Sequence, residues 1–246
     1  MVDSGEIVFF DSELRTPNSE RITIFWGDSV KISVVKNIME ANQRLAEENR
    51  RQFSQNRVLV INLMSSPGAG KTSLLEKTIQ SLKGDFRVGV VEGDIQSTYD
   101  AERIGQTGVP VVQINTGGAC HLDSNMVQEA LKDLDLTHLD LLFIENVGNL
   151  VCPAEFKLGE DFKAMILSVA EGDDKPLKYP LMFHESQVLL INKMDLLPFC
   201  DCNPDLIEER ALKINPQLTI FRVSCRTGEG LDHWSDWLRK QIKQRK

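Results

Sequence analysis

From residue 58 onward the hydrophobic positions fall into short unbroken runs rather than alternating with polar ones. Runs at 58–64, 87–91, 111–115, 140–145, 165–170, 188–192 and 219–223 predict strands buried on both faces, since a strand with one wet face alternates. Stretches at 72–83, 123–134, 205–214 and 230–243 carry apolar residues at helical spacing and predict helices between them. Strands and helices in this alternation make an α/β fold, with a mainly parallel, roughly seven-stranded sheet flanked by helices. Ligands of such sheets sit at the carboxyl ends of the strands.

The chain before residue 56 reads differently. Residues 29–55 predict one amphipathic helix, with Ile32, Val35, Ile38, Met39, Leu45 and Ala46 near one face and Glu40–Arg44 and Glu47–Arg51 as i,i+4 pairs elsewhere. That face packs on its own domain or on a second copy. Ile7–Phe10 and Ile22–Trp26 read as short strands of a hairpin or of a loosely held arm. The expected organisation is an N-terminal extension with its helix over 1–55, and a nucleotide-binding domain over 56–246. Glu171–Pro176 reads as a mobile loop.

The strand-to-helix junction at 63–72 supplies the first chemistry. Leu63-Met64-Ser65-Ser66-Pro67-Gly68-Ala69-Gly70-Lys71-Thr72 has the second half of a phosphate-binding loop, with Ser65 where the first glycine of G-x-x-x-x-G-K-[ST] belongs. Backbone N–H groups through Gly68, Ala69, Gly70 and Ser73 cradle phosphate oxygens beside the positive helix end. Lys71 reaches the terminal phosphates and Thr72 binds Mg²⁺.

Asn192-Lys193-Met194-Asp195 follows the strand at 188–192 and chooses the base. A carboxylate at Asp195 accepts from guanine N1–H and the 2-amino group; adenine has neither donor and leaves it unpaired. Asn192 and Lys193 brace that loop, and Ser224 and Cys225 after the last strand form the remaining base contact. Between these motifs, Glu145 in Glu145-Asn146-Val147-Gly148 and Asp94 in Glu92-Gly93-Asp94 are Mg²⁺ or water-orienting candidates, and Gly148 offers its N–H to a γ-phosphate. Lys71, Asp94 and Glu145 are therefore the catalytic candidates, with Thr72, Asp94 and Glu145 the Mg²⁺ set.

Cys120 and His121 are adjacent, and Cys152 lies four residues beyond Gly148. Thiolate and imidazole suit Zn²⁺ and Ni²⁺. Four residues span at most roughly 14 Å, so a nucleotide-driven shift at Gly148 must reach Cys152. Cys152 completes a site within one chain, or Cys120 and His121 from two copies meet on a two-fold axis. Cys200 and Cys202 read as an incidental loop pair, Cys225 as packed near the base, and His138, His184 and His233 as isolated.

Composition narrows the setting. A net charge of -8 disfavours nucleic-acid binding, and no apolar run approaches the roughly 18 residues of a membrane span, so no membrane is expected either. The acidic opening residues lack signal-peptide order, and five cysteines are an odd count for disulfides, which together predict a cytoplasmic location.

Taken together, Asn62–Thr72, Glu92-Gly93-Asp94, Gly117–Leu122, Glu145–Ala154 and Asn192–Asp195 resemble the hydrogenase nickel-incorporation GTPases (HypB) over about residues 30 to 246. Ser65 and Glu145 fit that family's own pattern. The resemblance implies a P-loop NTPase G domain, slow GTP hydrolysis and a GTP-promoted homodimer. It also implies nickel or zinc on Cys120, His121 and Cys152 near the dimer interface, and nickel delivery to the large subunit of [NiFe]-hydrogenase. A nickel-binding accessory chaperone of the HypA type is the implied partner. No Cys or His precedes Cys120, so the N-terminal nickel-binding tract of many members is not expected. A urease-type nickel GTPase, which carries Cys-Pro-His, and a metal-binding scaffold that uses nucleotide only to dimerise are the alternatives.

Overall fold

A computed structural model describes residues 33–95 and 99–245, with side chains from residue 38. The short strands expected at 7–10 and 22–26, and the start of the first helix, lie outside the described residues.

The long apolar runs become strands β1 Leu59–Ser65, β2 Val88–Asp94, β3 Val111–Asn115, β4 Leu141–Glu145, β5 Phe162–Ser168, β6 Val188–Asn192 and β7 Thr219–Arg222. Among the described residues they form one sheet in the order β3-β2-β4-β1-β5-β6-β7, with every neighbouring pair parallel. All seven residues of β1 are buried, as an apolar run covered on both sides requires. The fifth strand begins three residues before the expected 165, because Lys163 is buried inside it rather than marking its end.

Leu59, Ile61 and Leu63 of β1 face α2 (Lys71–Leu82) and the final helix (Leu231–Arg245). The indole of Trp234 joins those two helices by donating to Thr78 Oγ1 at 3.0 Å. The opposite face of the sheet holds the first helix, α1 (Ser33–Gln55), with α4 (Ser124–Ala130) and α5 (Cys152–Glu155). Between these in the chain, α3 (Tyr99–Gly105) is a two-turn helix too short for its periodicity to announce it. Among the described residues no helix is long and apolar enough to cross a membrane.

Two expectations are corrected here. The face of α1 that packs is Asn42, Ala46, Asn49 and Phe53, while Ile38 is exposed and Leu45 only half-buried. Asparagines win that stripe because their amides satisfy loop backbone: Asn42 Nδ2 donates to Lys157 O at 2.9 Å, and Asn49 Nδ2 to Ser124 O at 2.9 Å and Leu158 O at 3.2 Å. The helix packs on its own domain. The second correction is at 171–176, which is a pinned corner rather than a free loop. A 3₁₀ turn at Val169–Glu171 is capped by Ser168, and Arg210 donates to both Asp173 O and Asp173 Oδ1 at 2.6 Å.

Candidate functional site

The parallel sheet brings the carboxyl ends of β1, β2, β4 and β6 to one edge, and most of the candidate residues follow those ends. After β1 the chain turns through Gly68 and Gly70, at φ +75° and +103°, into α2. Ser65 is the last residue of β1, paired with Ile166, and has no positive φ to demand a glycine. Its hydroxyl instead accepts from Lys71 Nζ at 3.1 Å, holding the phosphate-reaching ammonium over the loop.

A cavity of about 470 Å³ opens here, lined by Gly68, Gly70, Lys71, Thr72, Ser73 and Gly148 among others. Asp94, Glu145 and Glu92 stand in it too. Thr72 Oγ1 donates to Glu145 Oε1 at 2.9 Å. Glu92 and Glu145 are register neighbours on β2 and β4, are 2% and 3% exposed, and each leaves its Oε2 without a partner. Buried carboxylate oxygens with no hydrogen bond are costly unless a cation or proton takes them. Burial, then Glu145, Asp94 and Asp100, push the Glu92 carboxyl up to about 8. Burial pushes Glu145 up to about 7, with Lys71 and the Thr72 hydroxyl pulling it back. An all-oxygen set of this kind fits Mg²⁺. Sequence reasoning missed Glu92 as a site residue. The one signal was an acidic residue directly after the apolar run at 87–91.

Gly148 lies against the phosphate loop: a Cβ there would stand 3.0 Å from the Cα and N of Pro67. Its segment therefore packs directly on that loop.

A second cavity, about 390 Å³, continues from Gly70, Ser73 and Lys193 to Asn192, Asp195, Cys225 and Arg226. Asn192 Nδ2 donates to Ala69 O at 2.9 Å, and Lys193 Nζ to Gly68 O at 2.6 Å. Ser224 does not line the cavity; its hydroxyl donates to Asp195 Oδ1 at 2.6 Å and aims that carboxylate. Cys225 does line it, with burial pushing its thiol up to about 11. Arg226 and, on the phosphate side, Arg103 are lining residues that sequence reasoning did not select.

The ligand atoms of Cys120, His121 and Cys152 all lie within 4.8 Å of one another, the one His/Cys/acid trio of this kind among the described residues. The three candidate ligands thus come together within one chain. Burial lowers the His121 pKa, favouring the neutral imidazole that binds metals, and its ring lies 3.9 Å from that of Phe156. A hydrogen bond with Cys120, then burial, raise the Cys152 thiol, so loading a metal here releases protons. Asn149 Nδ2 donates to Cys120 O at 3.2 Å, tying one metal arm to the segment between Gly148 and Cys152. Asn146 Oδ1 accepts from Leu122 N at 3.0 Å, tying the same arm to the residue after Glu145. Gly93 abuts Leu122, where a Cβ would come within 2.7 Å. Cys200 and Cys202 stand apart, half-buried against the cluster that includes Leu189 and Ile191.

Known proteins are similar to this chain over most of its length. The nucleotide-binding domain shared by CobW, HypB and UreG matches residues 59–222. The hydrogenase maturation factor HypB of Azotobacter vinelandii is 52% identical over 215 residues, spanning 87% of this chain and 71% of that protein. HypB of Escherichia coli (strain K12) is 48% identical over 210 residues, spanning 85% and 72%. A crystal structure of HypB from Helicobacter pylori in complex with nickel is similar at a TM-score of 0.78 and 39% identity, covering 83% of this chain and 96% of that one.

Proposed function

The chain belongs to the HypB family of hydrogenase maturation factors, and from that premise we propose that it is a GTPase metallochaperone that gates nickel delivery into the large subunit of a [NiFe]-hydrogenase. The observation that carries this reading is the placement of the Cys120–His121–Cys152 trio, hydrogen-bonded through Asn146 and Asn149 to the segment that runs from Glu145 past Gly148.

In this reading Asp195, aimed by Ser224, accepts from the guanine edge, and Asn192 and Lys193 hold the base loop on the phosphate loop. Lys71 and the backbone N–H groups of 68–73 stabilise negative charge on the phosphates. Thr72 and Glu145, with Asp94 and Glu92 beside them, hold Mg²⁺, which when bound neutralises phosphate charge. Asp94 orients the attacking water. Loss of the γ-phosphate releases Gly148 from its contact, and the segment carries Cys152 with it. Nickel is the cargo: it binds the trio in one nucleotide state and leaves in the other. A GTP-promoted homodimer, a HypA-type accessory chaperone that supplies or receives nickel, and the hydrogenase large subunit as recipient complete the proposal.

The test is a Ni²⁺ titration of the protein loaded with GDP and with a non-hydrolysable GTP analogue, with phosphate release followed in a single turnover. Wild type releases phosphate and binds Ni²⁺ differently in the two states. Cys120→Ala loses most Ni²⁺ binding and keeps GTP binding. Unchanged Ni²⁺ stoichiometry in Cys120→Ala sinks the metal assignment, and nucleotide-dependent dimerisation without phosphate release sinks the GTPase assignment.

A further inference from the structure

The sheet face that carries α1, α4 and α5 has its apolar packing divided in two. One cluster gathers Val60, Ile144, Leu122 and Leu158, and the other Met64, Met165, Leu150 and Ala154. Four buried polar side chains run between them. Asn62 on β1 and Lys163 on β5 are register neighbours in the middle of the sheet. Asn146 Nδ2 donates to Asn62 Oδ1 at 3.2 Å, and Asn62 Nδ2 donates to Glu160 Oε1 at 3.3 Å. Glu160 Oε2 accepts from Leu158 N at 2.7 Å, and Lys163 Nζ lies 3.9 Å from Glu160 Oε1. Lys163 Nζ also donates to Ala154 O at 2.5 Å. None of the buried polar atoms of these four residues lacks a partner.

The two ends of this chain of bonds are the informative part. At one end Asn146 holds Leu122 N, the residue after His121. At the other, Lys163 holds Ala154 O, two residues after Cys152. Between the ends, Asn62 lies on β1, three residues before Ser65, and Asn146 itself is the residue after Glu145. A buried amide and ion-pair network is weak as a source of stability, because apolar side chains of similar volume stabilise such a position as well or better. What a fully satisfied network does supply is a fixed geometry.

We propose that Asn146, Asn62, Glu160 and Lys163 are positioning residues for the metal trio, fixing the spacing between the Cys120–His121 arm and the Cys152 arm against the two strands that carry the phosphate loop and Glu145. The proposal rests on reading the trio as the nickel site. Residues that orient metal ligands from behind typically change affinity by roughly 10- to 100-fold when removed.

The experiment compares Lys163→Met and Lys163→Arg in the full chain with GDP bound, measuring Ni²⁺ affinity by chelator competition and the thiolate-to-nickel absorption band. Lys163→Met removes the donor to Ala154 O and should weaken Ni²⁺ by at least about 10-fold and alter the band. Lys163→Arg keeps a cationic donor and should restore most of both. Asn146→Ala releases the other arm and supplies the same comparison should Lys163→Met fail to fold. A folded, GDP-binding Lys163→Met or Asn146→Ala with wild-type Ni²⁺ affinity and band overturns the proposal, whatever its melting temperature. Cys120→Ala run alongside separates the two readings: wild-type Ni²⁺ binding there means the trio is not the nickel site. Arm spacing is then read without nickel, from the rate at which phenylarsine oxide bridges the Cys120 and Cys152 thiols. Slower bridging in Lys163→Met upholds the positioning role, and an equal rate overturns it.

Discussion

Replacing Glu92 with Gln tests the carboxylate pair directly. Glu92 is 2% exposed, and its carboxyl stands at about 8 in the folded chain against an ordinary value of 4.5. The fold therefore prefers the protonated form. The sign follows: stability from this group is complete below 4.5, falls as pH rises, and is fully lost above about 8. Linkage with those two values gives a loss of about 2 kcal/mol between pH 6 and pH 8. Gln cannot ionise and keeps nearly the same volume, so Glu92→Gln should remove about that much of the pH slope and be the more stable protein at pH 8. The assay is denaturant unfolding of nucleotide-free, Mg²⁺-free protein at several pH values in that range. Adding Mg²⁺ with GDP should flatten the wild-type slope, because the cation takes the place of the proton. Parallel slopes for wild type and Glu92→Gln would refute the reading of the pair as a buried, cation-seeking site.

Three further outcomes follow from the geometry. Asp195→Asn should lower GTP affinity by roughly 100-fold or more, since two hydrogen bonds to a charged acceptor are lost, while xanthosine triphosphate, which presents an acceptor in place of the 2-amino group, binds the variant better than wild type; competition binding reads both. Gly148→Ala places a Cβ 3.0 Å from Pro67 backbone and should cost about 1–3 kcal/mol where Gly148 lies against the phosphate loop. It should depress the affinity for a GTP analogue more than for GDP, which calorimetry with the two nucleotides would show. Ni²⁺ loading should release the Cys152 proton, so apparent Ni²⁺ affinity rises with pH in chelator competition, and a flat profile would exclude thiolate ligation there.

Much of this fold was legible because its central strands are covered on both faces, which turns them into apolar runs, while the edge strands β3 and β7 are only half-buried. The motifs at 65–72, 145–148 and 192–195 were legible for the same reason, since each follows such a run. What stayed hidden depended on partners distant in sequence. The buried stripe of α1 could not be picked by polarity, because Asn42 and Asn49 earn burial only from backbone at 124, 157 and 158. Asp173 looked like loop solvation until Arg210 reached it from a helix 37 residues on. Glu92 stood one residue past the run expected at 87–91, and its meaning comes from the register that sets it beside Glu145. Lys163 stood outside the strand expected at 165–170, and is instead the buried second residue of β5.

The hydrogen bonds from Asn192 to Ala69 O and from Lys193 to Gly68 O have a consequence for how ligand energy is used. They join the guanine loop and the phosphate loop by links that do not depend on a nucleotide bridging them. Such a receptor is preorganised, and little of the ligand's interaction energy goes into ordering it. The di- and triphosphate forms then share nearly all of their contacts, and the one extra phosphate has its differential affinity free to act on whatever lies beyond the site. In the function proposed above, rigidity in the nucleotide cradle is what would let a single phosphate group be felt at Cys120 and Cys152.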